Sequence, residues 1–210
     1  MSQPITPSPL QAISTALADE LVAAGALFHR RGWVPATGGN FSARSGADRM
    51  LITVSGVHKG ELTRNDFLVA DLQGQPLEAG RKSSYETGLH AQLYRFDPKI
   101  GAVLHVHSVA NTVLSRAGDR VRLQGYELLK ILPGISEPEV AVEVPVFGND
   151  QDIARLSRQV EAHMHEHPLP AAYLIAGHGL YAWGENIAQA RHRVEALEFM
   201  FECELWSRGN

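Results

Sequence analysis

The sequence predicts an α/β fold, and three observations carry that prediction. Apolar residues recur at helical spacing over residues 10–31, 150–165 and 186–206. Short apolar or alternating runs stand between them at 50–54, 67–72, 100–107, 140–147 and 171–176, with the length and pattern of strands. The gap from Leu51 through Leu72 is short and carries tight turns, so part of the sheet is expected to pair antiparallel.

Residues 1–9, with Pro4, Pro7 and Pro9, read as an irregular lead-in. Residues 10–210 read as one domain, with no linker, repeat or low-complexity segment. The first helix, Leu10 to Arg31, carries Leu17, Leu21, Val22, Leu27 and Phe28 at helical spacing, and Gly32 stops it. A glycine pair among small polar residues follows, Ala36 to Ser42. Met50 to Val54 and Phe67 to Leu72 are strands, the second closed by a turn at Gln73-Gly74-Gln75-Pro76. Ser83-Ser84-Tyr85-Glu86 opens a helix that runs to about Phe96, serine before an acidic residue being a common helix start. Asp97-Pro98 breaks it and leads into the strand at 100–107. Val109 to Arg116 reads as helix, and Tyr126 to Lys130 is ambiguous. Val140 to Phe147 alternates as a strand, and Asp150 to His165 is an amphipathic helix. Ala171 to Ala176 is an apolar strand ending at Gly177-His178-Gly179, with Leu180 to Trp183 continuing the pairing. Asn186 to Trp206 is the last helix, with Val194, Leu197, Phe201 and Leu205 on its inner face.

Composition narrows the function. The 210 residues suffice for one domain with a real core, or two small ones. Apolar residues are 44%, charged residues 20% and net charge −4, ordinary values for a soluble protein. Neither a nucleic acid nor an acidic membrane is an expected partner of such a chain. The one cysteine, Cys203, forms no internal disulfide, which fits a reducing compartment. With no long apolar run and no basic-then-apolar leader, the expected address is the cytoplasm.

The ten histidines carry most of the chemistry. His105 and His107 end an apolar run, and side chains two apart on a strand share a face. They can therefore converge on a metal, ordinary packing being the alternative. His163, His165 and His167 close an amphipathic helix, where the same spacing points side chains apart, so a solvated helix end is the better reading. His178 between two glycines offers a third ligand, and three histidines leave a divalent ion with open positions. Glu86 and Glu127 are the candidate acid/base groups, with surface carboxylates as the plain alternative. Gly38-Gly39-Asn40, Ser55-Gly56 and Ser83-Ser84 are loops rich in hydroxyls and backbone donors, suited to a phosphate. Lys59 and Lys82 stand near them, although exposed lysine is the commoner case.

Taken in order, Thr37-Gly38-Gly39-Asn40-Phe41-Ser42, Thr53-Val54-Ser55-Gly56, Ser83-Ser84-Tyr85-Glu86, His105-Val106-His107 and Gly177-His178-Gly179 resemble the class II aldolase and adducin-head family, over about residues 11–207. The resemblance implies a central, mainly antiparallel sheet flanked by helices, and a homotetramer with active sites commonly between subunits. It implies one zinc per subunit on His105, His107 and His178. In the family's aldolases the glutamate matching Glu86 is acid/base and a further metal ligand. Residues matching Asn40, Ser55, Gly56, Ser83 and Ser84 bind phosphate there. The phrases Tyr126-Glu127-Leu128-Leu129-Lys130, Val144-Pro145-Val146-Phe147 and Gly179 to Gly184 look most like the family's dehydratase branch in methionine salvage. In that branch the acid/base is the glutamate matching Glu127, and some members carry cysteine where Glu86 stands. The resemblance therefore implies dehydration of a sugar phosphate, a 2-ketose 1-phosphate. An aldolase or epimerase is the nearest alternative, and a non-catalytic scaffold a more distant one.

Overall fold

A computed structural model describes residues 9–168 and 170–208. Of the expected lead-in, residues 1–8 lie outside the described residues, and Pro9 opens the first helix. The elements run α1 (Pro9–Arg30), β1 (Asn40–Arg44), β2 (Arg49–Thr53), β3 (Phe67–Asp71), α2 (Thr87–Phe96), β4 (Ala102–Val106), α3 (Val109–Leu114), β5 (Arg120–Leu123), β6 (Val142–Phe147), α4 (Ile153–Glu166), β7 (Ala172–Ile175), β8 (Gly179–Gly184) and α5 (Ile187–Ser207). Short 3-10 turns occupy Lys59–Glu61, Arg64–Asp66 and Glu127–Ile131. The last of these resolves the ambiguous stretch after β5.

The strands form one eight-stranded sheet in the order β3-β2-β1-β4-β8-β7-β6-β5. Among the described residues only β6 and β7 pair in parallel, so the sheet is mainly antiparallel, as expected. No helix of the described residues is long and apolar enough to cross a membrane.

Each face of the sheet buries its own core. On one face Phe41, Leu104, Val106, Leu180 and Ala182 pack with Leu21 and Phe28 of α1 and Val194, Leu197 and Phe201 of α5. On the other, Ile52, Val103, Tyr173, Tyr181 and Trp183 pack with Leu89 and Leu93 of α2 and Leu156 and Val160 of α4. The central strand β4 is buried along its whole length.

Two strands, β1 and β5, go beyond the sequence reading. β1 alternates Phe41 and Ala43 with Asn40, Ser42 and Arg44, so only two of its five positions signal a core. Its polar face is nonetheless buried, because α2 satisfies those groups with hydrogen bonds. β5 is short, with Val121 and Leu123 buried between exposed Arg120 and Arg122.

Behind the strand that carries the histidines lies one buried acid. Glu198 of α5 is fully buried and accepts a 2.6 Å hydrogen bond from Asn111 Nδ2, while its Oε2 has no protein partner. Burial pushes its carboxyl up to about 7. Its unfolded value lies near the ordinary ~4.3 of a glutamate. Between these values the folded chain binds the extra proton, so the contribution of Glu198 to stability falls as pH rises from about 4 to 7. Urea unfolding is expected to show it as a difference: the stability of the unaltered chain relative to Glu198→Gln, which keeps the acceptor for Asn111, is expected to decline as pH rises over that range.

Candidate metal centre and substrate cleft

The pleat does what the sequence spacing requires. His105 lies on β4 and His107 just beyond its end, with their ring centroids 4.5 Å apart. The His107 amide donates to Trp33 O (2.7 Å), which fixes the chain as it leaves the strand. The turn between β7 and β8 brings His178 to the same point, its ring centroid 5.0 Å from His105 and 4.6 Å from His107. One nitrogen from each of the three rings lies within 4.8 Å of the others. Among the described residues His163, His165 and His167 form no such group.

Ring orientation is set from behind. His105 is fully buried and stacks on Tyr181 at 3.9 Å, which stacks in turn on Tyr173. His105 Nδ1 lies 2.9 Å from Leu180 O, and a carbonyl only accepts, so Nδ1 holds the proton and Nε2 is bare. The Gly39 amide donates to His107 Nε2 at 3.3 Å. The two bare nitrogens stand 2.7 Å apart, and His178 Nε2 is 3.4 Å from His105 Nε2. Burial, then the neighbouring imidazoles, hold His105 well below its ordinary value. Burial, His178 and Lys59 lower His107 to about 4. The His105 and His107 rings are neutral at pH 7 with lone pairs converging, and this donor set fits a divalent ion of the kind imidazoles bind.

Glu86 joins them from α2. It occupies the N-cap position, yet its side chain makes no cap hydrogen bond. Instead Oε1 is 3.1 Å from His178 Nε2, and Oε2 is 3.5 Å from His105 Nε2. Asn40 Nδ2 donates to Oε2 at 2.6 Å.

A cleft of about 310 Å³ opens over this centre. Asn40, Ser55, Gly56, Ser84, Glu86, His107 and His178 line it, so the structure brings together most of the residues singled out from the sequence. Ser83 sits just behind, bridged to Val54. Glu127 stands elsewhere: it is exposed on its 3-10 turn, ion-paired with Lys130 at 2.9 Å, and is not among the residues lining the cleft.

Lys59 corrects the exposed-lysine reading, whereas Lys82 is exposed as that reading has it. Lys59 is buried, lines the cleft, and donates to Thr37 O (2.8 Å) and Val57 O (2.7 Å). Burial lowers it to about 8, with the Glu86 carboxylate opposing the shift. Asn149 and Gln151, before α4, also line the cleft, and Tyr85 bonds to Gln151 O. No local motif marks them in the sequence, because they reach the site only through the packing of α4 on α2.

Close packing makes Gly179 a sensitive position. A Cβ there would lie 2.4 Å from Val106 O, 2.8 Å from His105 Cε1 and 2.9 Å from His107 Cδ2. Gly179→Ala is expected to displace both rings and weaken metal binding, and His107→Ala to abolish it. Titration with zinc against a competing chelator measures this; unchanged affinity in both variants would remove the trio from the metal site.

Residues 19–205 match the Class II Aldolase and Adducin N-terminal domain. A methylthioribulose-1-phosphate dehydratase of Pseudomonas aeruginosa (strain UCBPP-PA14) is 54% identical over 191 residues, 90% of this chain and 93% of that protein. The protein of the same name from Pseudomonas fluorescens (strain Pf0-1) is 51% identical over 92% of this chain and 94% of its own. The crystal structure of L-fuculose-1-phosphate aldolase from Thermus thermophilus superposes with a TM-score of 0.75 at 29% identity, covering 94% of this chain and 95% of that one. The chain belongs to the class II aldolase and adducin N-terminal domain family.

Proposed function

We propose that this chain is a zinc-dependent hydro-lyase of methionine salvage. In this reading it converts 5-methylthioribulose 1-phosphate to 2,3-diketo-5-methylthiopentyl 1-phosphate and water. The observation that carries the reading is 51–54% identity, over nine-tenths of the chain, to relatives named for that dehydration. The converging histidines support an enzyme over a non-catalytic scaffold.

His105, His107 and His178 would hold one ion per subunit, with Glu86 beside it. Bound there, zinc supplies Lewis acidity toward the carbonyl and hydroxyl oxygens of a ketose. Ser55, Gly56, Ser83, Ser84 and Asn40 are the candidate phosphate residues, with the Lys59 ammonium adding positive charge. A phosphate fixed there turns the same C3–H toward the base in each turnover. Beyond His107 and His178, Pro35, Val109 and Val113 form an apolar shelf suited to the methylthio end.

Glu127 is the base that takes the C3 proton in this reading. The hydroxyl on C4 receives a proton from the same carboxyl and leaves as water, and the enol that remains ketonises to the diketone. Glu127 lies outside its own cleft and is exposed, which supports a homotetramer in which it serves the cleft of a neighbouring copy. Cytoplasmic residence accords with the small-molecule substrate and the single free Cys203.

The direct test is incubation of the zinc-loaded protein with 5-methylthioribulose 1-phosphate and mass detection of a product lighter by one water. Dihydroxyacetone phosphate without any diketone would favour an aldolase instead. Glu127→Gln is expected to keep its zinc and lose turnover. Mixed with the equally inactive His107→Ala chain, it is expected to regain part of the activity, since some sites then combine two intact halves. No recovery in verified mixed tetramers would contradict a shared site.

A further inference from the structure

Helix α2 and strand β1 run a matched ladder that starts at the metal centre. Glu86, His90 and Tyr94 lie four residues apart at the start of and along α2, hence on one face. Asn40, Ser42 and Arg44 lie two apart on β1, also on one face. Four helical residues advance about 6 Å, and two strand residues advance about 6.7 Å. The two rows therefore meet rung by rung. Arg44 closes the far end, with Nη2 bonded to Tyr94 O (2.7 Å) and its guanidinium over the Tyr94 ring.

The direction of each bond in this ladder follows from chemistry. An ionised Glu86 only accepts, so the Asn40 amide nitrogen faces it at 2.6 Å. The Asn40 oxygen then faces His90 Nε2, and an amide oxygen only accepts, so Nε2 carries the proton. His90 Nδ1 is left bare and accepts from Ser42 Oγ at 2.7 Å. Ser42 Oγ, having given its proton, accepts from Tyr94 OH at 2.8 Å. All four residues behind Glu86 are at most 2% exposed, so water does not compete for these bonds.

We propose that His90, held as the Nε2–H tautomer, is a positioning residue that fixes the Asn40 amide and, through it, aims the Glu86 carboxylate at His105 and His178. His90 touches neither the cleft's histidines nor a substrate; it acts through Asn40. A consequence follows for Asn40 itself. Its oxygen is committed to His90 and one amide hydrogen to Glu86, leaving a single hydrogen for a phosphate. Asn40 then holds Glu86 and keeps one hydrogen for a phosphate in the cleft. Burial keeps His90 neutral, lowering it to about 3, which agrees with a ring that never carries a second proton at working pH.

The first test uses the unaltered protein with ¹⁵N-labelled histidine. Long-range ¹H–¹⁵N spectra are expected to show one neutral Nε2–H ring, unchanged from pH 5.5 to 8 and absent in His90→Gln. A His90 ring protonated at Nδ1, or at both nitrogens, would overturn the proposal. The second test measures zinc affinity with the metal alone. His90→Phe and Asn40→Leu are each expected to weaken zinc by roughly 10–100-fold, the range for groups that support a metal ligand. The double variant is expected to be no worse than either single one, because both break the same chain. His90→Gln, which keeps an N–H for Asn40, is expected to recover part of the loss. A folded His90→Phe with unchanged zinc affinity, or an additive double variant, would contradict the proposal. The affinity test rests on the metal reading, whose own failure is distinct: the unaltered protein would then bind no zinc, while the tautomer test still decides His90.

Discussion

His105 and His107 turn bare Nε2 atoms to within 2.7 Å of each other in a buried corner, with His178 Nε2 3.4 Å from His105. Lone pairs so placed repel unless a positive charge sits between them. A proton is a poor candidate, because burial and the mutual proximity of the rings lower both His105 and His107. A divalent cation resolves the arrangement and leaves coordination positions open toward the cleft. The surroundings make sense on that basis. Leu180 O sets the tautomer of His105, Tyr181 stacks on its ring, and Gly179, with no Cβ, lets the chain pass close against the His105 and His107 rings.

The sheet turns local spacing into this convergence. β4 lies at its centre between β1 and β8, so His105 has Asn40 opposite it on one side and Tyr181 on the other. β8 begins directly after His178, so the third ligand arrives with the strand that pairs to β4. From the opposite layer α2 brings Glu86 at its first turn. Ligands widely separated in sequence thus share one corner because three neighbouring strands and one helix end there. The same corner carries the loops at 55–56 and 83–84, which gives the cleft a polar end beside the histidines and an apolar shelf beyond them.

Much of this is legible in the sequence, for identifiable reasons. The His-X-His pair on a strand and a histidine between glycines are local signals, and a pleat or a turn is enough to aim them. The long helices and apolar strands announce themselves by period. Strand β1 does not, because one of its two faces is Asn40, Ser42 and Arg44, and that polar face is covered only because α2 satisfies it. Lys59 is hidden for the same reason: two carbonyls from separate loops, Thr37 and Val57, make its burial tolerable. His90 stands out only when the repeat of α2 is laid against the repeat of β1. Glu127 is the opposite case. Its sequence setting marks it as important, yet within one chain it is an exposed partner of Lys130, which accords with the proposal that it acts on the cleft of another copy.

The central claim is that three imidazoles and a carboxylate hold one divalent ion. X-ray absorption at the zinc edge of the zinc-loaded protein tests it most directly. The account predicts three imidazole nitrogens and at least one oxygen donor, at about 2.0–2.1 Å. A shell with two or fewer imidazoles, or with sulfur, would contradict it.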